Sequence, residues 1–519
     1  MSKSILLVSF MVVQLIASAQ PLLLSKQSII PKPVSVVDAK GSFNLTEKSI
    51  IYYEGESPEI QQVGNYLASK LNPSTRFGIV VRSNSVAQTP GNIYLSLKPG
   101  DAQLGDEGYQ LVISKETVIL TANKPSGLFN GVQTLRQLFP ANIESAVPQE
   151  GSWEIPAGTV RDFPEYAFRG VMLDVARHFF QVSDVKRTID LMAAYKMNVM
   201  HLHLSDDQGW RIEIKKWPKL TAIGGITQVD GEKGGFYTQD QYVEIVKYAA
   251  ERQVMIIPEI DMPGHTNAAL ASYPELNCND RAPELYTGTK VGFSTLCTSK
   301  EITYQFIKDV FSELAAITPG PYLHIGGDES HATKIEDYLP FEVKVQEIVA
   351  STGKQVIGWD EIALSTMKPN TVVQFWAKAE NAQKGVKQGA KVIMSPAAKA
   401  YVDMQYHAKT KLGLHWAGYV EVDTGYNWDP ATLVPGIGRE NILGIEAPLW
   451  SETITNMDEI EYMVFPRLPG YAEIGWSTPA SRNWNEYKVR LGNHADRFKA
   501  MQIDYYPSKL VPWLGSSKK

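Results

Sequence analysis

Tyr322-Leu-His-Ile-Gly-Gly-Asp-Glu329 is the stretch whose residue types point most directly to chemistry. It opens as an apolar strand and ends in two glycines and two adjacent carboxylates. Gly326 and Gly327 carry no Cβ, so another group can approach the backbone closely there. Two carboxylates held together repel, which separates their pKa values. One then stays ionised while the other holds a proton to donate, the division of labour of general acid–base catalysis. An isolated Asp-Glu pair is most often a solvated turn. Here the same kind of residue recurs along the chain, each time just after an apolar run. Asp174, Arg177 and His178 follow the first run. His201, His203, Asp206, Asp207 and Trp210 belong to the second, and Glu259, Asp261 and His265 to the third. Trp359, Asp360 and Glu361 end the fifth, Trp376 the sixth, Tyr401 and Asp403 the seventh, and Trp450 and Glu452 the eighth.

The elements that must position these groups are legible as a pattern. Eight apolar, β-branched runs cover residues 168–175, 198–205, 254–260, 322–328, 355–359, 372–376, 391–395 and 442–449. Helix-length segments follow most of them, as at 183–195, 238–253 and 300–316. Near-continuous apolar strands separated by crossovers imply a parallel sheet. Eight such units imply a closed (β/α)8 TIM barrel, whose strand C-termini form one mouth. Before it, residues 20–160 read as a smaller α+β sandwich domain. It has short strands at 49–53, 77–82, 92–97, 109–114 and 117–122 and helices at 60–71 and 127–138 on one face. This half carries no acid or base cluster and reads as structural support.

Bulk properties agree. A chain of 519 residues with 44% hydrophobic and 20% charged residues has ample material for a large core. The net charge of −6 is spread without a basic block, which argues against nucleic acid as a partner. Residues 1–19 carry the marks of an export signal: Lys3, an apolar run at 5–16, and Ala17-Ser-Ala19 as a cleavage site. That run is too short for a permanent anchor, and Gln20 rather than Cys follows the cut, so no membrane anchor is expected. In an exported protein, periplasmic or extracellular, Cys278 and Cys297 are expected to form a disulfide worth about 3 kcal/mol. The domain plan is therefore a signal at 1–19, the α+β domain at 20–160, the catalytic barrel at 161–510 and a frayed tail at 511–519.

Pro258-Glu-Ile-Asp-Met-Pro-Gly-His265 together with His324-Ile-Gly-Gly-Asp-Glu329 resembles glycoside hydrolase family 20, the β-N-acetylhexosaminidases. Asp174-Val-Ala-Arg-His178, His203-Leu-Ser-Asp-Asp207, Gly358-Trp-Asp-Glu361 and Ala447-Pro-Leu-Trp-Ser-Glu452 fit the same family in the same order. The resemblance covers the barrel from about 168 to 476 and extends to Gly127-Leu-Phe-Asn-Gly-Val-Gln-Thr-Leu135 in the first domain. It implies substrate-assisted retaining hydrolysis, in which the substrate's own acetamide oxygen attacks the anomeric carbon. On that resemblance Glu329 is the general acid and base. Asp328 orients the acetamide and steadies the oxazolinium. Asp206 and His265 form a relay toward the acid. Arg177 forks onto ring hydroxyls, Asp403 and Glu452 reach O4 or O6, and Tyr401 holds the acetamide carbonyl. Trp359, Trp376 and Trp450 wall the sugar. Apart from the resemblance, Trp416 and Trp428 lie in the long segment after Asp403 and are expected to shape the outer site. The implied partner is a glycan or chito-oligosaccharide ending in N-acetylhexosamine, and no cofactor is needed. The chemistry requires Glu329 protonated and Asp328 ionised. It also requires the fourth strand to end at Asp328, because successive strand residues face opposite ways.

Two other readings use the same residues. His201, His203, Asp206 and His265 have the ligand types of a zinc site, which would make a metal-dependent hydrolase; activity that survives a strong chelator removes that reading. A non-catalytic sugar-binding protein on the same scaffold is the other, but such a protein has no need of both acids.

Overall fold

A computed structural model describes residues 22–84 and 88–514. The export signal read at 1–19 and the last five residues of the tail lie outside them.

The first domain is a seven-stranded sheet covered by two helices. Its strands are Ser35–Asn44, Ile51–Glu54, Val81–Asn84, Asn92–Leu97, Tyr109–Ile113, Thr117–Ala122 and Glu154–Asp162. Helices Pro58–Thr75 and Pro125–Leu138 pack on each other and on the same sheet. The sequence pattern gave five strands. The two it missed, Ser35–Asn44 and Glu154–Asp162, pair antiparallel with each other, with a register shift between Asp38 and Ser42. Ser35–Asn44 is a mostly exposed edge strand, so it lacks the apolar alternation that marks a half-buried one. The strand read at 77–82 sits later, at Val81–Asn84.

Eight parallel strands close into the barrel: Phe168–Asp174, Val199–His203, Met255–Glu259, Tyr322–His324, Gln355–Trp359, Val372–Phe375, Lys391–Met394 and Ile442–Leu449. The last pairs with the first from Gly444–Phe168 to Leu449–Leu173, which completes the ring. All seven residues of the first strand are buried, as strands flanked by side chains on both faces require. Two crossovers depart from the simple pattern. A short 3-10 turn, Asp360–Leu364, is all that lies between the fifth and sixth strands. Between the seventh and eighth, only the short helices Ala397–Ala400, Val422–Tyr426, Pro430–Leu433 and a 3-10 turn occur. The fourth strand stops at His324, four residues before the expected end.

Buried ion pairs join the two domains. Lys196 Nζ lies 2.9 Å from Asp162, which also accepts from Tyr109 Oη and Trp476 Nε1. Arg169, fully buried at the start of the barrel, pairs with Glu107. The support role of the first domain thus has a specific form: it satisfies charges at the foot of the barrel. Cys278 and Cys297 are bonded and close the loop after the third strand. Residues 511–514 are not frayed. Val511 is buried, and the Trp513 ring packs on Tyr505 and Phe498.

Candidate active site

The backbone after the fourth strand explains how adjacent residues serve one cavity. Gly326 has φ 69°, Gly327 φ 101° and Glu329 φ 45°. These left-handed conformations break the pleat, so the opposite-face rule for strand residues no longer applies to Asp328 and Glu329. A Cβ on Gly326 would sit 1.7 Å from Asp261 Oδ1. That carboxylate instead accepts the Gly327 N–H at 2.9 Å. Tyr338 Oη donates to the Gly327 carbonyl at 2.7 Å from the following helix, Ile335–Ser351. A positive φ at a non-glycine residue such as Glu329 costs roughly 1–3 kcal/mol and marks a site where the surroundings dictate the backbone.

His265, also at positive φ (55°), lies between the acids and the barrel core. Its Nε2 is 3.5 Å from Glu329 and 3.8 Å from Asp328. Its Nδ1 is 3.2 Å from Asp206 Oδ1. Asp206 is fully buried and receives Arg177 at 2.8 Å and His203 Nε2 at 2.9 Å on its other oxygen. Arg177 also reaches Asp174 and lies over the Trp450 ring, 4.7 Å from its centre. The sequence-read relay of Asp206 and His265 is therefore geometrically continuous with the acids.

The cavity in front has a volume of about 200 Å3 and is lined by Arg177, Asp328, Glu329, Trp376, Tyr401, Trp450 and Glu452, with Leu414 and Trp416 on one side and Thr289 and Val291 on another. Pockets for drug-sized ligands run ~300–1,000 Å3, so this one suits a single ring. Trp376 and Tyr401 stack at 6.5 Å, and Trp416 stands edge-on to both at 5.9 Å. Glu361 accepts Trp376 Nε1 at 3.0 Å. Asp360 accepts the backbone N–H groups of Trp376, Ala377 and Lys378, which fixes the end of the sixth strand.

Two expected wall and binding residues do not line the cavity. Trp359 lies behind Trp450, ring centres 5.8 Å apart, and donates its indole N–H to Glu259 at 2.8 Å. Asp403 is buried near Glu452, and neither of its oxygens has a hydrogen-bond partner among the described residues. Trp428, read as part of the outer site, is a core residue whose indole N–H bonds Gly425. Trp416, 56% exposed, does reach the mouth.

The order of the two acids differs from what the chemistry requires. Burial raises Asp328 to about 6, with the Glu329 charge adding to it. Burial also acts on Glu329, but His265, 3.5 Å away, with Arg177 behind it, outweighs burial and holds Glu329 below the ordinary range. The cause is position: Glu329 keeps about a quarter of its side chain exposed and faces a cation, while Asp328 is the deeper of the two. Asp261, beside Asp328, is raised well above its ordinary value by burial and by the Asp328 charge. Glu361 is likewise lifted to about 8, by burial first and then by Asp360 and Asp328.

Sequence reasoning gave no role to Asp261, Glu361 or Glu259, although all three stand at strand ends. Burial near Asp328 singles out Asp261 and Glu361, and the gathering of His201, His203 and His324 singles out Glu259; both are proximities across strands that no run of residues displays. It also missed Thr289 and Val291, which reach the mouth from the disulfide-closed loop.

Residues 166–339 and 331–479 match the model of "Glycosyl hydrolase family 20, catalytic domain", and residues 26–163 match "Glycosyl hydrolase family 20, domain 2". A β-N-acetylhexosaminidase of Cellulomonas fimi is 40% identical over 492 residues, which is 94% of this chain and 97% of the relative. The solved family 20 β-N-acetylhexosaminidase of Streptomyces coelicolor A3(2) superposes with a TM-score of 0.91 at 50% identity, covering 94% of this chain and 99% of that one. An exo-β-N-acetylglucosaminidase of Vibrio harveyi, solved with N-acetylglucosamine, gives a TM-score of 0.82 at 31% identity over 95% of this chain and 80% of its own. Family models spanning both domains, set beside a site built from the motifs that suggested it, leave one assignment: the chain belongs to glycoside hydrolase family 20.

Proposed function

We propose that this protein is an exo-acting, retaining β-N-acetylhexosaminidase that removes terminal N-acetylglucosamine or N-acetylgalactosamine through an oxazolinium intermediate. The observation that carries the reading is the convergence of Asp328 and Glu329 on a cavity of one-ring size with aromatic walls. Arg177 and Glu452, on the same cavity, present charge to ring hydroxyls. Asp403 stands behind them with buried oxygens that have no hydrogen-bond partner among the described residues. Trp450 floors the sugar, while Trp376 and Tyr401 bound the acetamide, with the Tyr401 hydroxyl donating to its carbonyl.

Substrate itself reorders the acids. The acetamide N–H donates to Asp328, and a hydrogen bond to the charged form favours ionisation. The sugar seals Glu329 from water, and desolvation favours its neutral form. Binding thus drives a proton onto Glu329, beside His265, and leaves Asp328 charged. The acetamide oxygen then attacks the anomeric carbon while Glu329 protonates the leaving oxygen. Asp328 steadies the cyclic cation, and Glu329, now a base, activates the water that opens it.

The deciding experiment compares hydrolysis of an aryl N-acetyl-β-glucosaminide with the aryl β-glucoside that lacks the acetamide. Rapid turnover of the first and none of the second is expected. Comparable turnover of both defeats the reading. The leader pattern at 1–19 and the Cys278–Cys297 bond suit an enzyme that works in the periplasm or outside the cell, on glycans or chito-oligosaccharides.

A further inference from the structure

The relay does not stop at Asp206. Below it, inside the barrel, His203 places Nε2 2.9 Å from Asp206 Oδ2 and Nδ1 2.5 Å from Glu259 Oε2. Glu259 is fully buried, and its other oxygen accepts the Trp359 indole N–H at 2.8 Å and lies 3.0 Å from His324. The His203 ring also stands edge-on to Trp450, 4.9 Å between centres. One imidazole therefore touches the relay, the floor of the cavity and the carboxylate that holds Trp359.

We infer that the Glu259–His203 pair is the inner end of the proton relay, positioning Asp206 and setting the charge that His265 and Glu329 experience. The inference rests on the function proposed above and deepens it. Both ring nitrogens of His203 face carboxylate oxygens, so both carry protons and the ring is a cation. Burial alone would neutralise it, but Glu259 and Asp206 outweigh burial and raise it to about 10. From core to mouth the charges then alternate: Glu259 negative, His203 positive, Asp206 negative, His265 positive, Glu329 negative. Arg177, 2.8 Å away, does most to keep Asp206 ionised where a lone carboxylate would take up a proton, and His265 and His203 add to it. His203 also repels the proton on His265 across that one carboxylate, and so holds down the pH at which the acid pair loses it.

The groups facing His203 are Glu259 from the third strand, Asp206 after the second and Asp174 at the end of the first, with the Trp450 ring beside it. Those facing His265 are Asp206, Asp261, Asp328 and Glu329. His203→Gln keeps a donor near Nε2 and removes the cation together with the donor to Glu259. Glu259→Gln removes the counter-charge, so that His203 goes neutral as well. The readout is the pH profile of kcat/KM on the aryl N-acetylglucosaminide, whose basic limb reports the essential acid of the free enzyme. For His203→Gln that limb should rise by about one pH unit, the scale of one charge removed at an effective dielectric of ~20. Glu259→Gln should move it the same way by less, because two opposite charges vanish and the nearer one dominates. A limb that stays in place or falls, however much kcat drops, reduces the pair to packing and overturns the inference. If wild-type enzyme does not turn over this substrate, the proposed function fails instead. Wild-type protein labelled with 15N-histidine decides independently of either variant's folding. His201, 3.0 Å from Glu259 and raised to about 9, is a third imidazolium at pH 8, so the rings are assigned one by one: those of His203 and His265 must stay imidazolium, and a neutral His203 ring refutes the series.

Discussion

Asp328→Asn should make the protein inactive and more stable at once. Asp328 is 7% exposed and its Oδ1 has no hydrogen-bond partner among the described residues. Its carboxyl is lifted from 3.8 to about 6, chiefly by burial. The native state therefore holds this proton more tightly than the unfolded chain does. Stability from that difference is full below about pH 4 and drains away as pH rises through about 6. At pH 7.5 the ionised group costs the fold on the order of 3 kcal/mol. Asparagine is nearly isosteric and cannot ionise. Denaturant unfolding of both proteins at pH 7.5 and pH 4 gives the test. The variant should be the more stable at pH 7.5, by up to that amount, and the gap should close at pH 4. Hydrolysis should fall steeply with every leaving group, because the charge that steadies the cyclic cation is gone. A variant less stable than wild type at pH 7.5, or a gap that persists at pH 4, refutes the burial argument. A rate near wild type refutes the role of Asp328.

Glu329→Gln should lose ~10²–10⁴-fold on substrates with poor leaving groups. The loss should be smaller on activated aryl glycosides, whose leaving oxygen needs little proton assistance. Equal losses in steady-state comparison of the two argue against an acid at this position. Gly326→Ala adds a side chain at φ 69° where Asp261 Oδ1 already stands. The left-handed backbone costs about 1–2 kcal/mol, and displacing a buried hydrogen bond costs about 1–3 kcal/mol more. Calorimetry should show a fall in Tm together with a large loss of kcat, and an unchanged protein removes the close-approach explanation for this glycine.

The eight runs and their order were legible because buried parallel strands must be apolar throughout, and that is a property of consecutive residues. Ser35–Asn44 escaped notice because an edge strand has no such obligation. Trp428 and Trp416 show the limit for single residues. Both are tryptophans in one segment, yet one fills the core and the other stands 56% exposed at the mouth. Type alone does not separate them.

By itself the sequence determined the barrel, the covering domain, the Cys278–Cys297 pairing and which residue types stand at the strand ends. It also carried the motifs of family 20. Tertiary structure decided that the fourth strand stops at His324 and that three left-handed residues swing Asp328 and Glu329 onto one cavity. It placed Trp359 and Asp403 behind the wall rather than in it, and joined Glu259, His203, Asp206 and His265 into one series. It also ranked the acids, lifting Asp328 and holding Glu329 down. The physical reason is that hydrophobic period is written between neighbours in the chain. A carboxyl group's affinity for its proton is set across space, by burial and by charges that barrel closure brings from other strands.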